Sequence, residues 1–144
     1  MLLCPGDGMK NGLRILTVED ETAVAQLLAL VLCGPNCKVT SAADGGEALA
    51  KIAASEQPYD IVITDHQMPR VTGLELVRQL RALNFGGKIV VLSAFLNEEN
   101  VRAYKALGVD LMLAKPFDMD ELRKAIGILA DEAPVHAHRA TGWR

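Results

Sequence analysis

Five side chains stand where short apolar runs end. Glu19 and Asp20 follow Arg14-Ile15-Leu16-Thr17-Val18, and Asp65 follows Asp60-Ile61-Val62-Ile63-Thr64. Ser93 follows Lys88 to Leu92, and Lys115 lies just past Leu111-Met112-Leu113. If the first and third runs lie side by side, three carboxylates share one cleft. Like charges a few ångströms apart repel, and a shared proton or a bound cation relieves them. Ligands that are all oxygen favour a hard divalent ion, and Mg²⁺ suits a site that keeps waters and takes in a phosphoryl oxygen. Lys115 adds a fixed positive charge and Ser93 a hydroxyl donor. With those partners, the Asp65 carboxylate can act as a nucleophile toward phosphorus and carry it as an acyl phosphate. Mg²⁺ and Lys115 would then neutralise charge on the equatorial oxygens of the in-line transition state.

The elements that must position these groups follow from periodicity. The first strand covers Arg14 to Val18. Thr22 is placed as the N-cap of a helix with Ala23, Val24, Leu27, Leu28 and Val31 on one stripe, ended by Gly34-Pro35. Lys38 to Ala42 reads as a second strand, Asp44-Gly45-Gly46 as a turn, Glu47 to Glu56 as a second helix, and Asp60 to Thr64 as a third strand closing on Asp65. Beyond a loop at His66 to Gly73, Leu74 to Leu83 reads as a helix with Leu74, Val77, Leu80 and Leu83 aligned. Lys88 to Leu92 is a fourth strand, Asn97 to Leu107 a helix stopped by Gly108, and Leu111 to Leu113 a fifth strand. Asp118 caps a last helix with Leu122, Ala125, Ile126 and Leu129 inward. Five apolar strands alternating with five helices predict an α/β fold, a doubly wound parallel sheet covered on both faces. Right-handed crossovers require the winding to reverse across the sheet, and ligands bind beyond the strand ends at that reversal.

Composition bounds the rest. A length of 144 residues fits a single domain, with half the residues apolar and 23% charged, which is globular and not disordered. The net charge of −3 leaves no basic surface for nucleic acid. The longest apolar stretch, Ala23 to Cys33, is too short to cross a bilayer, and the first twelve residues lack the charge and apolar core of a secretion signal. Cys4, Cys33 and Cys37 are odd in number and form no zinc spacing, consistent with reduced thiols and a cytoplasmic location. Residues 131–144 lose the periodicity at Pro134 and read as a tail too short to be an effector domain.

Residues 13–130 resemble the receiver domain of two-component response regulators, a chemotaxis-receiver-like (βα)5 flavodoxin-like fold with strand order 2-1-3-4-5; residues 1–12 and 131–144 are then an extension and a tail. ILTVEDE is similar to the family's acidic pocket. The resemblance implies that Asp20 binds Mg²⁺ directly and Glu19 mainly through water. DIVITDHQMPRVTG is similar to the phosphoacceptor segment, with Asp65 phosphorylated, Gln67 offering a backbone carbonyl to the metal, and Pro69 and Gly73 shaping the loop. IVVLSA places Ser93 at the family's switch hydroxyl, and LMLAKPF places Lys115 at its lysine, before a cis bond to Pro116. The resemblance further implies a histidine kinase or histidine phosphotransfer protein as donor. It also implies a protein partner or homodimer contact on the face from helix four through helix five, about Glu98 to Leu129. With no output domain, the chain would signal through a partner or by onward phosphotransfer, and it would catalyse only its own phosphorylation and dephosphorylation.

Two features depart from that pattern or qualify it. Met112 stands where receivers usually have Tyr or Phe, and it has neither hydroxyl nor ring to signal with. Phe95 and Gln67 occupy positions that in the family control water access, with opposing expected effects on phosphoryl lifetime. Plainer roles stand beside the chemical ones: Glu19 and Asp20 also favour the following helix N-terminus through its dipole, and Ser93 or Lys115 could be ordinary strand-end residues. His66 lies beside the site but points away from Asp65 if the strand continues, His136 and His138 read as solvated tail, and Tyr104 reads as core. An aspartyl phosphatase of the dehalogenase-like class needs an acid two residues after its nucleophile, where this chain has Gln67. A flavodoxin-like cofactor binder needs a neutral phosphate-cradling first loop, where this chain has Glu19-Asp20-Glu21. A receiver that signals without phosphorylation would not need the intact Asp20, Asp65 and Lys115 set.

Overall fold

A computed structural model describes residues 12–32, 37–68, 71–94 and 96–132. Five strands and five helices alternate: β1 (Leu13–Val18), α1 (Thr22–Leu32), β2 (Cys37–Ala42), α2 (Gly45–Ala54), β3 (Ile61–Asp65), α3 (Gly73–Ala82), β4 (Lys88–Ser93), α4 (Glu98–Ala106), β5 (Leu111–Ala114) and α5 (Met119–Glu132). The strands form one parallel sheet in the order β2-β1-β3-β4-β5. This is the doubly wound sheet expected from the pattern. The winding reverses between β1 and β3, whose register runs from Ile15↔Ile61 to Val18↔Thr64. The Lys115–Pro116 bond is cis, as the resemblance implied.

Alternation along the strands divides the core in two. Leu16, Val18, Val62, Ile89 and Val91 face α2, α3 and α4, packing with Ala48, Leu76, Val77, Leu80 and Tyr104. Ile15, Ile61, Ile63, Val90 and Leu92 face α1 and α5, packing with Leu28, Leu32, Leu122, Ile126 and Leu129. Burying side chains of this size stabilises a fold by about 1.5–3 kcal/mol each, most of it offset by chain entropy.

Local chemistry starts the helices. The side chains of Asp44, Thr72 and Asn97 accept the amides of Glu47, Glu75 and Asn100, each satisfying an N–H that a helix start would leave unpaired. At α2, Glu47 also reaches back to accept the amide of Ala43, the residue before the cap, at 2.8 Å, so a second side chain ties down the helix start. With Asp44 as the cap, the helix starts at Gly45, where the sequence reading had a turn. Thr22 is the first helical residue of α1 and not its cap; the Glu21 carbonyl accepts the first helical amide, from Ala25.

Two helix faces differ from expectation. In α1 the inward residues are Leu28 and Leu32, whereas Leu27 and Leu30 lie outward, Leu30 at 76% exposure. In α3 the buried set is Leu76, Val77 and Leu80, and Leu83 is 62% exposed. A run stepped by three residues drifts round a 3.6-residue helix, so Leu74, Val77, Leu80 and Leu83 do not share one face with the sheet. Pro69, Phe95, Cys4, Cys33, His136, His138 and the tail from residue 133 lie outside the described residues.

Candidate functional site

The carboxyl ends of β1, β3, β4 and β5 bring the acidic and basic residues together. The amide of Glu19 donates to the Ala42 carbonyl at 3.0 Å, extending the β1–β2 pairing by one residue and fixing the Glu19 backbone. Asp65 is the last residue of β3 and pairs in register with Leu92 of β4. The amide of Lys115 donates to the Ser93 carbonyl at 2.8 Å, so β4 sets where the lysine leaves β5. Each of these side chains is therefore held by backbone pairing and not by a loop.

Glu19, Asp20 and Asp65 each direct a carboxylate oxygen to one region, with all three oxygens within 4.8 Å of one another. Glu19 and Asp65 are buried and Asp20 is exposed, so the cluster opens on the Asp20 side. The Lys115 ammonium reaches in, 3.2 Å from Asp65 Oδ1 and 3.7 Å from Glu19 Oε1. Glu19 Oε2 accepts the Glu21 amide at 3.3 Å. Oε1, by contrast, is buried with no hydrogen-bond partner among the described residues. Burial and the charge of Asp65 push the Glu19 carboxyl above its ordinary pKa, against the opposing pull of Lys115 and the Glu21 amide.

A buried carboxylate oxygen that accepts no hydrogen bond, beside two further carboxylates and one ammonium at 3.7 Å, is an incomplete arrangement for protein atoms alone. It fits a hard cation that takes oxygen ligands and keeps waters on its open side. Ser93 is fully buried one residue beyond the Asp65 partner Leu92. Gln67 is exposed and lines an open pocket with Asp20, His66, Met68 and Thr72. Every described candidate thus lies at this end of the sheet.

Gly73 does more than shape a loop. It is the buried first residue of α3, and a Cβ there would sit 2.5 Å from the Asp65 carbonyl oxygen. The sequence reading also missed a partnership. His66, one residue past Asp65, emerges on the opposite face of the sheet, as alternation requires. There its Nδ1 is hydrogen-bonded to the hydroxyl of the fully buried Tyr104, and the two rings meet edge to face at 5.6 Å. Burial and the Asp65 charge both raise the Tyr104 pKa, which keeps the hydroxyl protonated. The only sequence signal was a tyrosine at a core position of α4, and nothing local pairs it with a residue 38 positions earlier.

Comparison with known proteins shows the family. The family model for the response regulator receiver domain matches residues 15–127. Sporulation initiation phosphotransferase F of Bacillus subtilis is 30% identical over 113 residues, covering 78% of this chain and 90% of that one. The chain spans about half or less of the length of several other curated relatives. Among solved structures, the chemotaxis protein CheY4 of Vibrio cholerae is 31% identical with a TM-score of 0.75, over 82% of this chain and 98% of that one. The response regulator TrrA of Thermotoga maritima, in complex with Mg²⁺ and BeF, is 32% identical with a TM-score of 0.71, over 81% and 98%. No helix among the described residues is long and apolar enough to cross a membrane. An acidic cluster at the β1–β3 reversal, a lysine from β5 and a family match across 113 consecutive residues lead to one conclusion: the chain belongs to the response regulator receiver domains of two-component systems.

Proposed function

We propose that this receiver accepts a phosphoryl group from a phosphohistidine donor onto Asp65 in a Mg²⁺-dependent reaction. The observation that carries the reading is the meeting of three carboxylates within 4.8 Å, with the Lys115 ammonium 3.2 Å from Asp65 Oδ1. Asp20, Asp65 and the Gln67 backbone carbonyl would hold the ion, with Glu19 acting mainly through water. When bound, Mg²⁺ supplies positive charge against the phosphoryl oxygens. Its presence in the related TrrA complex supports the same assignment here.

The chain's own groups do the remainder. An Asp65 carboxylate oxygen attacks phosphorus in line with the donor nitrogen. The P–N bond breaks as the O–P bond forms, and the imidazole nitrogen leaves with the electron pair and takes a proton. Lys115 stabilises charge on the transferring group, and the Ser93 hydroxyl donates to a phosphoryl oxygen. Reversing the geometry with water as nucleophile returns phosphate and free Asp65. The chain is on this reading a signalling module that acts catalytically only on itself. Its working domain is residues 13–130, flanked by residues 1–12 and 131–144. The donor is a histidine kinase or a histidine phosphotransfer protein, as the relation to a sporulation phosphotransferase supports. The output passes onward by phosphotransfer or through a protein partner, or a second copy, on the α4-β5-α5 face.

Acetyl phosphate with Mg²⁺ tests the chemistry. Intact-mass measurement should show one added phosphoryl group, absent in EDTA and absent in Asp65→Asn. A label that persists in Asp65→Asn overturns the assignment.

A further inference from the structure

Three elements converge on the residue that follows the phosphoacceptor. The His66 amide donates to the Leu92 carbonyl of β4 at 3.0 Å, and its carbonyl accepts the Gly73 amide of α3 at 2.9 Å. Its ring is bonded to the Tyr104 hydroxyl of α4. The Asp65 carbonyl oxygen, His66 Cα and Tyr104 Oη all lie within 3.1 Å of the point where a Gly73 Cβ would be. These groups are packed so closely that none shifts alone.

The α4 end of the contact is tied to α3. From α3, Arg81 donates to the carbonyls of Leu107 at 2.7 Å and Gly108 at 2.9 Å, clamping the carboxyl end of α4 one turn beyond Tyr104. At the other end, His66 lines the open pocket together with Asp20, Gln67, Met68 and Thr72, and Asp20 is the exposed carboxylate of the cluster that includes Asp65. Met112 packs on the same core as Tyr104 but brings no polar group to it.

We propose that Tyr104 is a positioning residue for the aspartyl phosphate: by holding His66 from α4, it fixes the residue that follows Asp65 and the pocket wall beside Asp20, and so sets water access to the phosphoryl group. The inference rests on Asp65 being the phosphoacceptor. It assigns to the His66–Tyr104 pair a link between α4 and the phosphoryl site that the apolar Met112 does not provide. Loosening the pair opens the wall, and movement of α4 away from the sheet must first break it.

The test uses the full chain labelled with acetyl phosphate and Mg²⁺. Tyr104→Phe keeps the ring and removes only the hydroxyl. It should still take one phosphoryl group on Asp65 but lose it at least threefold faster than the parent. The double variant Tyr104→Phe with His66→Phe leaves neither polar end buried without a partner, guarding against a folding defect. It should lose the label at the rate of the single variant His66→Phe, because Tyr104 acts through His66 alone; a further acceleration overturns the positioning role. The chain has two tyrosines, so 3-fluorotyrosine labelling provides a direct readout. Mg²⁺ with beryllofluoride should shift the fluorine signal of Tyr104. It should leave that of Tyr59, which lies under the Arg14 guanidinium next to the start of β3, unmoved. A Tyr104→Phe label that decays at the parental rate overturns the positioning role, and so does an unmoved Tyr104 signal; both leave the phosphoacceptor reading standing. A parent chain that takes no label overturns the phosphoacceptor reading itself.

Discussion

Gly73→Ala asks how tightly α3 must approach the phosphoacceptor. The added Cβ would sit 2.5 Å from the Asp65 carbonyl oxygen and 2.9 Å from His66 Cα, both backbone atoms that no rotamer change can move aside. Ordinary contact begins near 3.4 Å, so α3 or the end of β3 must shift by about 0.9 Å. Overpacking of this kind costs about 1–3 kcal/mol, and a backbone obstacle puts it in the upper part of that range. Alanine returns at most about 1 kcal/mol through better helix propensity. The net loss is therefore about 1–2 kcal/mol, which at about 4 °C per kcal/mol lowers Tm by about 4–8 °C. Activity should fall further than stability. A shift approaching 1 Å at the nucleophile's own backbone is worth about 10–100-fold in rate. Gly127→Ala is the matched control: nothing lies within 4 Å of its added Cβ, and in α5 it should raise stability by about 0.5–1 kcal/mol without changing phosphorylation. Thermal melts and acetyl phosphate labelling rates of the two variants supply the comparison. A Gly73→Ala protein that melts and labels like the parent would show that the close approach of α3 does not set the site.

Lys115→Met leaves Asp65 and Glu19 without the ammonium that lies 3.2 and 3.7 Å from them. Urea unfolding at neutral pH should show a loss of about 2–3 kcal/mol, below the figure for a fully buried ion because the lysine is partly exposed. A stability equal to the parent's would mean that solvent already neutralises the cluster. Glu19→Gln has the opposite sign. A carboxyl whose pKa is raised on folding binds its proton more tightly in the folded state. It therefore disfavours folding as pH rises from the ordinary glutamate range through the raised value. In EDTA the variant should melt higher than the parent at pH 7.5, with the gap closing toward pH 4.5; a gap that widens on acidification refutes the burial of that charge. Glu47 runs the other way again. Its bond to the Ala43 amide depresses its pKa, so its contribution to α2 is present above the ordinary glutamate value and lost as pH falls through the lowered one. Glu47→Ala should cost about 0.5 kcal/mol at neutral pH and less once the parent's Glu47 is protonated; equal losses at both pH values would argue against a role for the ionised carboxylate on the Ala43 amide.

Strand identity, helix count and the chemical character of the site are local properties, and the chain alone determined them. An apolar run that stops at an acid, a hydroxyl or a lysine says where a strand ends and what its end presents, because strand termini and caps are written in neighbouring residues. The family motifs around Glu19-Asp20, Asp65 and Lys115 are local in the same sense. Which strands lie side by side depends on long-range pairing: the residues themselves left it open, the family resemblance implied the order 2-1-3-4-5, and that sheet order brings Glu19 and Asp20 to Asp65. Which side of a helix turns inward depends on what it packs against, and so Leu27 and Leu83 lie outward despite an apolar pattern that included them. The His66–Tyr104 bond joins two residues 38 apart from different elements, each ordinary in its own neighbourhood. The Glu19 oxygen that accepts no hydrogen bond and the crowding at Gly73 likewise exist only once the elements are packed, since burial and steric exclusion are properties of the assembled core and not of any segment within it.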